Sequence, residues 1–107
     1  MDIIIQQVRS LCKDESMVLT QHATLRCRMR DILLDDIQVA IQNGDIIESY
    51  PDDFPHPSVL ISGKDLKHEP LHIVVGMSES MLWIITAYFP DSAKWEADYK
   101  TRKAAAQ

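Results

Sequence analysis

The sequence has few of the residues that build disulfide-rich, metal-binding or nucleotide-binding proteins. It contains two cysteines in 107 residues, Cys12 and Cys27, too few for a disulfide framework and without the C-x-x-C spacing of a zinc site. Its three glycines are isolated, which excludes the glycine-rich loops that bind phosphates. No apolar run approaches the roughly 20 residues that span a membrane. These absences predict a single globular domain over residues 1–107, with no metal and no cofactor.

Positive charge is also scarce, with 11 Lys and Arg against 16 Asp and Glu, a net charge of −5. General affinity for nucleic acid is not expected of such a chain. The N-terminus "MDIIIQQVRS" lacks the charge and the long apolar run of a signal peptide, so we expect a cytoplasmic protein. The charge is uneven, however. Residues 22–30 carry three arginines and no acid, and residues 31–56 carry seven acids and no Lys or Arg. This predicts a basic patch beside an acidic lobe, or two solvated faces that keep the protein soluble.

The stretch "HATLRCRMR", residues 22–30, fits two local structures. Its strict alternation of polar and apolar residues is typical of a strand. Its Ala, Leu, Met and Arg content favours a helix, which Thr20 can cap. In a helix, His22, Arg26 and Arg30 lie on one stripe at i, i+4 and i+8. We predict the helix, with two apolar pairs toward the core: Leu25 with Met29 and Ala23 with Cys27.

Two further helices are predicted. Residues 2–13 have apolar residues at helical spacing, with Asp2 as a candidate N-cap. Residues 34–44 form the clearest helix, with acids in the first turn and Asn43-Gly44 as a left-handed ending.

After Gly44 the pattern is typical of strands. Four segments are rich in β-branched and aromatic residues: "DIIESYP", "PSVLISGK", "PLHIVVGMS" and "MLWIITAYF". "DSAKWEADYKTRK" then predicts a short terminal helix. The order predicts an α+β domain, with two to three N-terminal helices on one face of a four-stranded antiparallel sheet and a short C-terminal helix.

Two groups of side chains could carry chemistry. Neutral imidazole of His22 can accept a proton from a hydroxyl, and the guanidinium groups of Arg26 and Arg30 can hold a phosphate. On the last strand, alternation places Ile84, Thr86 and Tyr88 on one side and Trp83, Ile85, Ala87 and Phe89 on the other. Thr86 and Tyr88, with His72 of the neighbouring strand, either face a cleft bounded by the basic helix or are ordinary hydrogen-bonded residues.

In this order the motifs resemble a bacterial family, the domain of unknown function numbered four-two-five-eight. The segment from "HATLRCRMRD" through "QNG" and "PLHIVV" to "IITAYFPD" carries the resemblance, over about residues 19–99. It implies a helix for residues 21–30 and similarity to the RelE-like and barnase-like small ribonucleases. Such relatives are often encoded beside a zinc-finger antitoxin. Asp31 stands where a glycine is usual, and Phe89 where a proline is common.

The leading hypothesis is therefore a metal-independent ribonuclease, as the toxin of a toxin–antitoxin pair. The expected catalytic residues are His22, Arg26, Arg30 and Tyr88. The expected substrate-binding residues are Arg28, Thr86 and His72, the last also as a second proton-transfer group. The expected partners are RNA, including ribosome-bound message, and an antitoxin with a zinc finger, with no membrane. The alternative is a non-catalytic protein-interaction module, or a degenerate toxin fold in which Asp31 pairs with Arg28 or Arg30.

Overall fold

A computed structural model describes residues 3–104, so Asp2, the candidate N-cap, lies outside the described residues. These residues form three helices: α1 (Ile5–Leu11), α2 (Gln21–Met29) and α3 (Leu34–Asn43). They also form five strands: β1 (Met17–Leu19), β2 (Asp45–Tyr50), β3 (Ser58–Lys64), β4 (Pro70–Met77) and β5 (Leu82–Tyr88). The α+β prediction is confirmed.

The sheet is mixed and five-stranded, in the order β1-β5-β4-β3-β2. Strands β2 to β5 are antiparallel, whereas β1 pairs in parallel with β5, Met17 opposite Leu82. The prediction of four antiparallel strands is therefore wrong. The missing strand has three residues, too few for a detectable alternation, and its partner lies some sixty residues further along the chain.

The three helices share one face of the sheet, here called the inner face, and enclose one apolar core. Ala23 and Cys27 of α2 are buried there. The other predicted apolar pair is wrong, because Leu25 and Met29 are 57% and 65% exposed. Helix α2 lies at the margin of the sheet beside β5, and only one narrow side of it reaches the core. Among residues 3–104 no helix is long and apolar enough to cross a membrane.

Helix α3 packs unusually close to β3. A Cβ added to Gly63 would lie 2.1 Å from the Ala40 carbonyl oxygen, and one added to Gly44 would lie 2.6 Å from the same atom. Gly44 has φ −92°, so the predicted left-handed ending is wrong. This glycine is needed for close approach rather than for handedness. Asn43 bonds the backbone of Lys64 through both its amide atoms, which ties the end of α3 to the sheet.

Strand β5 carries an irregularity that changes which residues share a face. Val74 of β4 pairs with Thr86, and Val75 pairs with Ile84. Ile85 is therefore an extra residue in β5, and the register shifts there. Ile84 and Ala87 therefore both pack in the inner core. Thr86 lies on the opposite, outer face with Tyr88. The predicted grouping of Ile84 with Thr86 and Tyr88 is wrong because a bulge breaks the period of two.

Residues 91–104 cross the outer face, and the terminal helix predicted there does not form. Asp98 accepts hydrogen bonds from two following backbone N–H groups, and Tyr99 has φ 54°. Such local bonds compete with helix formation. The segment instead folds back on itself, with an isolated antiparallel bridge between Trp95 and Arg102.

Candidate functional site

The basic stripe of His22, Arg26 and Arg30 lies along one flank of α2. Thr20 caps the helix, since its Oγ accepts a hydrogen bond of 3.0 Å from the backbone N–H of Ala23. His22 is exposed, and Arg26 and Arg30 are half-buried. In the described part of the chain the ion pairs are Lys100–Asp45 and Arg102–Glu48. Within residues 3–104, therefore, no carboxylate is ion-paired with the stripe.

Arg28 does not join the stripe. At about 100° of rotation per residue, its side chain projects roughly 200° away from those of Arg26 and Arg30. It lies instead beside Thr24 and Leu25, on the other flank of the helix. The structure thus brings together three of the four predicted basic-helix residues and separates the fourth.

The end of α2 places Asp31, where the resemblance implies a glycine, in a left-handed conformation. Asp31 has φ 55°, and the N–H of Ile32 bonds the carbonyl of Cys27 at 2.9 Å, as in a Schellman ending. A left-handed residue at this place favours glycine, the residue that the resemblance implies there. Among residues 3–104 Asp31 forms no ion pair with Arg28 or Arg30. The proposed neutralisation of the stripe by Asp31 is therefore absent from the structure.

His72 occupies the centre of the outer face and is fully buried. Its Nε2 lies 2.7 Å from the carbonyl oxygen of Tyr99, and its Nδ1 lies 3.2 Å from the hydroxyl of Tyr88. A carbonyl oxygen only accepts, so Nε2 carries the proton and Nδ1 accepts from the Tyr88 hydroxyl. The indole of Trp95 packs against the His72 imidazole in an edge-to-face arrangement, with ring centroids 4.6 Å apart. Burial lowers the pKa of His72, so the ring is neutral and both its nitrogens are already occupied.

Three residues that the sequence did not single out form a hydrogen-bonded group on the same face, and the charges of two of them, Glu48 and Arg102, act on His72. Arg102 donates to Glu48 from Nε at 2.5 Å and from a terminal nitrogen at 3.1 Å. Tyr50 donates its hydroxyl to the same carboxylate. The hydrogen bond from Arg102 holds the pKa of Glu48 below its usual range. Only the alternation of Glu48 and Tyr50 along one strand hinted at a shared face, and nothing in the sequence linked them to Arg102.

The two groups of predicted site residues do not meet in one cleft. His72, Thr86 and Tyr88 lie on the outer face, and the charges that act on the Tyr88 hydroxyl are those of Arg102 and Glu48. The basic stripe approaches the second group through Arg30, which donates a hydrogen bond of 2.7 Å to the carbonyl oxygen of Ala87 on β5. Arg30 therefore braces the strand as well as contributing charge.

Residues 3–104 contain no group of three or more His, Cys, Asp or Glu side chains arranged to hold a metal ion. The described residues contain two groups that could carry chemistry: a solvated histidine with arginines on α2, and a closed hydrogen-bond network on the outer face.

A family model, described as "Domain of unknown function (DUF4258)", matches residues 19–89. The match begins at the end of β1 and ends just after β5, so it includes both groups of predicted site residues. The resemblance in the sequence suggested a match to about residue 99, but the family model does not match residues 90–99. No curated protein and no solved structure matches the chain. Because the match covers well over half of its length, the chain belongs to the DUF4258 family.

Proposed function

We propose that this protein is a metal-independent ribonuclease whose substrate phosphate binds the basic stripe of α2. The observation that carries the proposal is a pair of arginines beside a histidine, without an ion-pair partner among residues 3–104, in an acidic protein. The net charge is −5, yet none of the stripe residues is ion-paired within residues 3–104. Charges held by a folded helix without a protein counter-charge are suited to bind an anionic ligand.

The stripe supports cleavage through the 2′-hydroxyl of RNA. Neutral His22 accepts the 2′-hydroxyl proton while the 2′-oxygen forms its bond to phosphorus. The bond from phosphorus to the 5′-oxygen breaks, and the proton returns from the imidazolium to that oxygen. The products are a 2′,3′-cyclic phosphate and a 5′-hydroxyl. Arg26, with Arg30 beside it, neutralises the charge that develops on the phosphoryl oxygens.

Tyr88, His72 and Thr86 have a structural role in this proposal rather than the catalytic and binding roles that the sequence suggested. Their outer face is closed by residues 91–104, and His72 has no nitrogen left for a substrate. Arg28, on the opposite flank of α2, contributes long-range attraction only.

The shape of the charge distribution favours a particular substrate class. A short basic stripe beside the seven acids of residues 31–56 holds one or two phosphates and repels a long duplex. The proposed substrate is therefore single-stranded RNA or message bound to the ribosome.

The experiment is cleavage of a mixed RNA substrate in EDTA, with and without ribosomes. Wild type should cleave, and His22→Ala and Arg26→Ala should each lose at least about 100-fold in rate. Lys94→Ala is the matched control for loss of one exposed positive charge and should cleave like wild type. Intact RNA in every reaction, with protein shown to be folded, would rule the proposal out.

A second candidate, a protein-interaction module, is favoured by a different observation. Four large apolar side chains, here called the apolar row, project into solvent from α2 and from the start of α3: Leu25, Met29, Leu33 and Leu34. Such exposed rows are typical of surfaces that bind other proteins. In a toxin–antitoxin pair the same row would receive the antitoxin, so the two candidates are compatible.

Overexpression separates these candidates. A ribonuclease toxin should arrest growth, and Arg26→Ala should relieve the arrest while Leu25→Ser does not. A pure interaction module should show the reverse, with any arrest dependent on Leu25 and indifferent to Arg26.

A further inference from the structure

A narrow slot opens on the outer face, at the opposite end of β4 and β5 from His72. Its volume is about 160 Å³, and its walls come from the β4–β5 pair and from the loop of residues 51–57. Gly76 and Trp83 face each other across the two strands at its floor. The slot is smaller than the pockets of several hundred Å³ that hold drug-sized ligands, so it has room for one ring system.

Three aromatic rings line this slot. The imidazole of His56 lies nearly parallel to the indole of Trp83, with ring centroids 5.9 Å apart and planes 13° from parallel. Phe54 stands at the mouth with 95% of its surface exposed, the most exposed of the large apolar residues described. A solvated aromatic ring beside a flat aromatic wall is suited to stack a third ring between them.

The slot wall also holds a polar group without a partner. Nε1 of Trp83 is buried and makes no hydrogen bond to any residue among 3–104. A buried N–H donor is rarely left unpaired, because its desolvation is then uncompensated. Trp83 lines the slot together with Phe54 and His56, so a small movement of side chains there would let a ligand acceptor reach this donor.

The slot adjoins the start of the basic helix. Thr20 lines the slot and caps α2, and its Oγ contacts the backbone of both Ala23 and Ile85. His22 follows two residues later, a rise of about 3 Å along the helix. If one part of a ligand is bound in the slot, the part attached to it therefore lies beside the first turn of α2, where the basic stripe begins.

We propose that the slot binds one base of the single-stranded RNA whose phosphate the basic stripe holds, an inference that rests on the proposed function. The base stacks between Phe54 and His56 with its edge toward the indole of Trp83, so that one of its ring or carbonyl acceptors receives the Trp83 N–H. Every RNA base has a flat face and an acceptor, so this contact selects single strands with unstacked bases rather than one sequence.

The test compares two probes that carry the same phosphates. One is a hexanucleotide with 2′-O-methyl sugars, which cannot be cleaved because the attacking hydroxyl is blocked, and the other is its abasic counterpart. Affinity is measured in EDTA, and the indole N–H signals are followed by NMR after assignment with Trp83→Phe. The base-bearing probe should bind about 10-fold more tightly, as one stacked base implies, and should move the Trp83 signal.

Substitutions then distinguish the slot from the stripe. Phe54→Ala should remove the 10-fold preference and leave binding of the abasic probe unchanged, and because Phe54 is exposed the variant should fold. Phe89→Ala, at a second exposed phenylalanine, is the matched control and should change neither affinity. Arg26→Ala should weaken both probes equally.

Equal affinity for the two probes, or an unmoved Trp83 signal, would overturn the slot proposal. If the abasic probe still bound in an Arg26-dependent way, the proposed function would survive that result. Binding of neither probe would overturn both proposals.

Discussion

The carbonyl oxygen of Tyr99 lies 2.7 Å from Nε2 of His72, so the C-terminal segment is hydrogen-bonded to the centre of the sheet. The hydroxyl of Ser62, on the neighbouring strand, donates to the same oxygen at 2.9 Å. The Tyr99 carbonyl oxygen thus accepts hydrogen bonds from two buried side chains that lie on two different strands. The segment is an integral layer of the domain, although it lies beyond the part of the chain that matches the family.

The buried His72 predicts that stability falls in mild acid. Burial lowers the pKa of His72 below its ordinary value of 6.5, so the unfolded chain binds a proton more readily than the folded one. The free energy of unfolding contributed by the neutral ring is fully present above pH 6.5 and is lost as the pH falls below it. Urea unfolding at pH 7.5 and pH 5 measures the difference.

Two variants identify the histidine responsible. His72→Gln should flatten the dependence between pH 7.5 and pH 5, whereas His68→Asn, at an exposed turn with φ 64°, should retain it. Equal dependence in the two variants would assign the effect to another group.

Trp95 should anchor the C-terminal segment. It is 3% exposed, between the imidazole of His72 and the guanidinium of Arg102, which lies 4.6 Å above its ring. Trp95→Ala should lower the free energy of unfolding by about 3–5 kcal/mol, as expected for a large buried aromatic side chain. Phe89→Ala, at an exposed site, should cost less than about 1 kcal/mol in the same urea titration. A loss below 1 kcal/mol for Trp95→Ala would show that the segment packs loosely.

The two glycines at sheet positions 63 and 76 should respond differently to the same substitution. In Gly63→Ala the new methyl group meets the backbone of Ala40 at 2.1 Å, and neither backbone can yield without separating α3 from β3. In Gly76→Ala the nearest atom is the mobile end of the Ile85 side chain, at 3.3 Å. Thermal unfolding should show a severe loss for Gly63→Ala and a small one for Gly76→Ala, and equal losses would contradict the close packing of α3.

Asp31→Gly should stabilise the protein. A non-glycine residue at φ 55° costs roughly 1 kcal/mol, which glycine avoids, less the entropy that glycine loses on folding. We expect a gain of up to about 1 kcal/mol in the free energy of unfolding. Asp35→Gly is the matched control and should destabilise, because it removes an acid from the first turn of α3 and places glycine in a helix.

The cysteines should be unreactive in the folded protein. Burial raises the pKa of Cys12 to about 11 and also raises that of Cys27, and the thiolate is the reactive form. A disulfide reagent at pH 8 should label neither thiol until urea unfolds the chain. Rapid labelling of the native protein would indicate that α1 or α2 opens locally.

Much of the local structure follows from short-range patterns. The composition of residues 21–30 favoured a helix and their alternation a strand, and the helix forms. The Thr20 cap and the acids in the first turn of α3 also lie where they were predicted. The four longer strands follow from β-branched and aromatic content. The three-residue β1 could not be predicted because its partner β5 lies some sixty residues further along the chain. The bulge in β5 could not be predicted because it depends on the register with β4, which the residue pattern of β5 does not show.

The sequence alone determined the residues of the basic stripe, because i, i+4 spacing in a helix is a local property. Whether that stripe met His72 and Tyr88 was decided by tertiary structure. Period-two alternation and one bulge turned those residues to the outer face, and residues 91–104 closed over them, bringing Glu48 to Arg102 across 54 positions of sequence. Local patterns fix the direction of each side chain along its own element, but only packing decides which elements face one another.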